Sequence, residues 1–168
     1  MMAGGSGPSG GKALAAGEEV VDAVLRASRV LVSVAARSLA AVDEDVTLPQ
    51  FRALVVLASR GPQTVGALAA ALGVHASTAT RMCDRLVAKG FVDRDVLATN
   101  RREVHLELTR SGRRLVDAVT KRRRNEIARV IERVPRAQRD ALIQALHAFG
   151  EAAEEPADSG WYLGWAGE

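Results

Sequence analysis

Residues 48–95 read LPQFRALVVLASRGPQTVGALAAALGVHASTATRMCDRLVAKGFVDRD, and the order of apolar, small and turn residues in this stretch decides the fold. Thr47 precedes Leu48-Pro49-Gln50, a capping-box pattern with proline in the first helical turn. The helix that follows is apolar at Phe51, Leu54, Val55 and Ala58 and stops at Gly61-Pro62. Thr64 is placed to cap a short helix over 65–72, apolar at Val65, Leu68, Ala69 and Leu72, and Gly73 ends it. After a very short turn the next helix covers about 75–89 and closes at Gly90. The period then changes. Residues 91–95 form a short strand candidate, and Val104-His105-Leu106-Glu107-Leu108 alternates apolar and polar. Joined through a loop of small and basic residues at 96–102, the two strands make a hairpin.

Two short helices meeting at Gly73, followed by a hairpin with a basic tip, spell a winged helix-turn-helix. On the helix over 75–89, Ala79, Met82, Cys83 and Leu86 fall at i, i+3, i+4 and i+7 and pack inward. The opposite side carries Ser77, Thr78, Thr80, Arg81, Asp84 and Arg85. Short hydroxyls and forked guanidinium groups suit a DNA major groove, donating to phosphates and base edges without apolar bulk. The start of this helix, at His75, also directs free amides at phosphate. The tip Asn100-Arg101-Arg102 then reads as a wing, its arginines suited to the concentrated negative potential of a minor groove. Each piece alone has a plainer explanation, as helix caps or solvated arginines. Their occurrence together, in this order, points to DNA.

Working outward, residues 18–42 place Val20, Val24, Ala27, Leu31, Val34 and Ala35 on one face of a long helix, with Glu18 and Glu19 near its positive end. Asp43-Glu44-Asp45 breaks it. Thr109 caps a helix over 110–134 that carries Leu115, Val119, Ile127, Val130, Ile131 and Val134. Pro135 stops that helix, and a last one aligns Leu142, Ala145, Leu146 and Phe149. The expected fold is mainly α with a small β-hairpin wing: a winged helix-turn-helix head plus helical dimerisation arms. Its divisions are a flexible N-terminal segment at 1–17, a dimerisation helix at 18–46, the DNA-binding head at 47–108, dimerisation helices at 109–155 and an aromatic tail at 156–168.

The arms expose more apolar surface than the head covers, which makes them a binding surface. A second copy on that surface gives a homodimer whose recognition helices lie about 34 Å apart, one DNA turn, favouring inverted half-sites. A helical module that binds another protein through the same arms is the alternative.

Composition agrees with this organisation. The 168 residues, 48% apolar and 26% charged, exclude a wholly disordered chain and are too few for two full domains. Residues 51–124 hold 15 Lys/Arg against 6 Asp/Glu, whereas acids outnumber bases both before and after them. A basic centre between acidic ends suggests one face for a polyanion. The uncharged run at 61–80 is interrupted by Pro62, Gly66 and Gly73 and is a poor membrane span. Residues 1–17 lack the apolar core of a secretory signal, so a cytoplasmic protein is the simplest expectation. Cys83, the single cysteine, allows no internal disulfide.

The stretch at 48–95, with NRREVHLELTRSGRRL at 100–115, resembles the multiple antibiotic resistance regulator (MarR) family of bacterial transcription factors. The resemblance implies a symmetric dimer built on the first, fifth and sixth helices, with two winged heads reading pseudo-palindromic double-stranded DNA. It further implies a repressor relieved by a small ligand, phenolic or other aromatic acids among them; separately, no cofactor is expected. By match to the family motif, Ser77, Thr78, Thr80 and Arg81 fall on groove-facing positions. Arg85 falls where the family orients the wing or meets phosphate, and Arg102, beside Arg101, on the wing arginine. Asn100 departs from the family's usual wing aspartate, which weakens or removes a charge pair that braces the wing.

The remaining residues have competing readings. Cys83 on an inward face is a small hydrophobe before it is a redox switch. His75, His105 and His147 lie on three separate elements and do not spell a metal site. Lys121-Arg122-Arg123-Arg124 circle their helix, so they cannot all face DNA. Trp161, Tyr162 and Trp165 make either a disordered tail or a strap onto a partner's groove. No nucleophile triad, phosphate-binding glycine loop or metal spacing argues for an enzyme.

Overall fold

The computed structural model describes residues 9–96 and 104–153. Its elements run α1 (Ser9–Ala40), α2 (Leu48–Arg60), β1 (Gln63–Thr64), α3 (Val65–Leu72), α4 (Ala76–Ala88), β2 (Val92–Val96), β3 (Val104–Leu108), α5 (Arg110–Ile131) and α6 (Arg136–Ala152). Asn100, Arg101 and Arg102, and the Trp161, Tyr162 and Trp165 tail, lie outside the described residues.

The helix starts follow local chemistry. At α2 the Thr47 Oγ1 accepts from the Gln50 amide at 3.4 Å, while the Gln50 side-chain oxygen accepts from the Thr47 amide at 3.0 Å. Thr64 and Thr109 cap α3 and α5 by accepting from the amides of Ala67 and Gly112. Gly73 ends α3 at φ 66° and ψ 35°, the left-handed geometry that glycine adopts without a Cβ penalty. The amides of Gly73 and Val74 reach back to Ala70 and Ala69 at 3.2 and 3.0 Å, turning the chain sharply into α4.

Two differences from the sequence expectation stand out. First, α1 begins at Ser9 rather than Glu18, so residues 9–17 continue the helix instead of forming a flexible lead-in. The Lys12-Ala13-Leu14-Ala15-Ala16 run is made of strong helix formers, and extending a nucleated helix is far easier than starting one. Second, β1 adds a third strand. The sheet order is β1-β3-β2, antiparallel throughout, with Gln63 opposite Leu106 and Thr64 opposite His105. A two-residue strand is too short to show a period.

The core centres on the head and takes in side chains of α1 and α5. Leu54, Leu68, Leu86, Leu106, Val92 and Val116 are fully buried, drawn from α2, α3, α4, both hairpin strands and α5. Gly112, in the first turn of α5, presses on the chain at Phe91, where an added Cβ would fall on the carbonyl oxygen. Thr109 locks the same place, its amide donating to the Phe91 carbonyl at 3.1 Å and its hydroxyl to the Gly90 carbonyl at 2.7 Å. The end of α4, the start of β2 and the start of α5 are thus joined at one point. By contrast α6 contributes no buried residue.

Candidate nucleic-acid interface

The face of α4 is split as its spacing predicts. Ala79, Cys83 and Leu86 are buried, Met82 and Thr78 are half-buried, and Ser77, Thr80, Arg81, Asp84 and Arg85 are exposed. His75 is the N-cap residue in an extended conformation, exposed, and its imidazole makes no capping hydrogen bond. The first-turn amides of Ala76 and Ser77 are therefore not capped by a side chain, the arrangement in which a helix start receives an anion. Thr80 donates its hydroxyl proton to the Ala76 carbonyl at 2.9 Å, which leaves the oxygen as an acceptor toward solvent. Arg81 and Arg85 have no ion-pair partner among the described residues. Ser77, Thr80, Arg81 and Arg85 thus share one surface behind which the buried residues hold the helix rigid.

One pair was not visible in the sequence. The Arg94 guanidinium of β2 donates to the Asp84 carboxylate of α4, as an ion pair across the junction between hairpin and helix. Arg94 stands opposite Leu106 in the β2–β3 register. Only the fold brings these residues together; no helical or strand spacing links positions 84 and 94. A second tie was also missed: the Lys89 ammonium donates to the Asp45 carbonyl at 2.7 Å and joins the end of α4 to the segment before α2.

The other candidates have no comparable setting. Cys83 is buried, and burial pushes its thiol up from the ordinary value, with Asp84 adding to the rise and Arg94 opposing it. A raised thiol is a poor nucleophile, so Cys83 fits packing better than redox sensing. Among the described residues no three His, Cys, Asp or Glu side chains group to hold a metal, and no helix is long and apolar enough to cross a membrane. On α5, Lys121, Arg122, Arg123 and Arg124 are all exposed. Glu126 gathers Arg37 at 3.2 Å, Ser38 at 3.3 Å and Arg122 at 3.8 Å, which ties α1 to α5 and occupies part of that basic run.

A short helix pair turning at a left-handed glycine, an exposed second helix and an antiparallel hairpin behind it define a winged helix-turn-helix protein, a DNA-binding class. Comparison with known proteins gives the family. Residues 46–104 match the MarR family. The chain is 35% identical over 103 residues to an HTH-type transcriptional regulator of Mycobacterium bovis, covering 61% of this chain and 72% of that one. The crystal structure of RV1404 from Mycobacterium tuberculosis superposes with a TM-score of 0.78 at 48% identity, covering 83% of this chain and 95% of that one. Transcriptional regulator Tm0710 from Thermotoga maritima matches with a TM-score of 0.59 at 27% identity, over 79% and 95% of the two chains. The chain belongs to the MarR family of transcriptional regulators.

Proposed function

We propose that the protein is a homodimeric repressor that reads a pseudo-palindromic operator and leaves it when a small ligand, an aromatic acid or another effector, binds. The observation that carries the DNA-reading part is the exposed face of α4, where Arg81 and Arg85 are free of ion-pair partners among the described residues. A partner-free guanidinium beside small hydroxyls offers bidentate donors to guanine and phosphate. In this reading Arg81 and Ser77 face base edges, Thr78 and Thr80 support them, and His75 and Arg85 meet phosphate. Arg101 and Arg102 act from the wing. The whole works on chromosomal DNA in the cytoplasm, without a cofactor or catalytic step.

The dimer reading rests on the arms. Val20, Val21, Leu25 and Val32 of α1 and Ile143, Leu146 and Phe149 of α6 are each more than half exposed in the single protomer. Apolar surface of this extent on two arm helices calls for a partner of the same character, and a second copy supplies it by symmetry.

Selection of bound duplexes from a random library, followed by salt titration of the winner, tests the proposal. A two-fold symmetric consensus retained against competitor DNA supports it. Salt-sensitive binding with no consensus would mean an architectural DNA binder, and no binding would favour a protein-interaction module. On the selected duplex, Arg81→Ala relaxes preference at one base pair by about 1–3 kcal/mol, and Arg102→Ala lowers the salt slope by about one. If neither substitution changes DNA affinity, the contact scheme is wrong.

A further inference from the structure

Asp84 is the sole acid of α4, and it lies on the exposed face between Thr80 and Arg85. A bare carboxylate there would meet the phosphates of a duplex with like charge and would draw Arg81 and Arg85 away from DNA. In the structure it does neither, because Arg94 reaches over from β2 and holds it. Both side chains are about half exposed, at 52% for Asp84 and 40% for Arg94, so the pair adds little to the stability of the fold. Its placement is more telling. Arg94 is on the strand that leads into the hairpin loop, and Asp84 is one helical turn from Arg81. The sequence offers an uncharged Asn100 between the two strands, and among the described residues Arg94 supplies a charge link between hairpin and α4.

We propose that Arg94 and Asp84 are a positioning pair for operator recognition: Arg94 neutralises the one carboxylate on the DNA-reading face and holds the hairpin root against α4, leaving Arg81 and Arg85 free for the duplex. The proposal rests on the DNA-reading role given above. It makes Arg94 a specificity residue that acts through Asp84 and the hairpin, without touching a base.

The test uses the full-length protein, the duplex selected by the wild type, and a scrambled duplex of the same composition. Arg94→Gln leaves Asp84 bare and weakens binding to the selected duplex by about tenfold, with a smaller ratio between selected and scrambled DNA. Adding Asp84→Asn removes the uncompensated charge, restores a neutral hydrogen-bonding pair and recovers affinity to within about threefold of wild type. Thermal midpoints of all three proteins agree within about two degrees, since an exposed pair contributes little to folding. A merely structural role would move the thermal midpoint and show no recovery in the double variant. Wild-type discrimination with an unchanged Arg94→Gln variant overturns the positioning pair alone. Recovery that fails in the double variant does the same. Absence of discrimination by the wild type overturns the DNA-reading role, and the pair with it.

Discussion

The head and the last helix, α6, of this protomer are built on opposite terms. Between Thr47 and Thr109 every helix and both hairpin strands bury side chains, and Leu54, Leu68, Leu86 and Leu106 are wholly inaccessible. In α6 no residue is buried, and Leu146 and Phe149 stand 53% and 55% exposed. The difference teaches where stability comes from in each region. The apolar face of the head is closed by its own sheet and helices together with Leu39 of α1 and Leu115, Val116 and Val119 of α5. An arm helix that buries no side chain among the described residues draws little free energy from them, and in the dimer proposed above it would gain it from association. Polar contacts differ within the arms as well: Glu126 fastens α1 to α5, whereas among the described residues α6 is tied to the α5 end through Arg139, which donates to the carbonyls of Val134 and Glu132.

The comparison breaks most visibly in the arms. Leu146→Asp with Phe149→Asp places two charges in the apolar face of α6, and sedimentation should show a monomer at micromolar concentration in place of the dimer. Operator affinity should then fall by at least about a hundredfold, because two linked half-sites become one, while the head keeps its far-ultraviolet dichroism. A dimer that survives both substitutions would place the association surface elsewhere.

Leu54→Ala attacks the head instead. Removing a fully buried leucine costs about 2–5 kcal/mol of unfolding free energy, readable by urea titration, with subunit association at a given folded concentration little changed. The smallest effect sharpens the join between the regions. Gly112→Ala drives a methyl group into the Phe91 carbonyl and should cost about 1–3 kcal/mol. Since that contact sets the hairpin root relative to α5, the same variant should lose operator affinity beyond its loss of stability. A fully folded Gly112→Ala protein with wild-type affinity would show that the backbone yields there at no cost.

Much of the head was legible because its signals are local. Thr47 with Gln50, Thr64 before Val65, Gly73 after Leu72 and Thr109 before Arg110 each act within one helical turn, and each performs the expected cap or stop. The alternation at Val104–Leu108 gave the strand, since burial of Leu106 and Leu108 on one face needs only a period of two. On α4 the inward set held for the same reason, with Met82 at the margin and so only half-buried. What escaped had no local signature. The strand β1 exists because β3 lies beside it, and the early start of α1 reflects propagation through residues whose glycines suggested freedom.

The site divides along that line. Arg81 and Arg85 could be singled out in advance because a helical period tells which side chains face away from a core, and burial of Ala79, Cys83 and Leu86 then settles the orientation. Whether such an arginine is free or engaged depends on which charges the fold brings within reach, and no spacing rule ties Asp84 to Arg94 across a turn and a strand. Sequence alone thus determined the order of the helices and the two hairpin strands, the caps and the side of α4 turned outward, since these rest on interactions between residues one to four apart. Tertiary structure alone decided that Asp84 is matched by Arg94, that Gly112 must stay bare against Phe91, and that α6 buries no side chain among the described residues. Those outcomes depend on distances between elements, which a linear pattern does not contain.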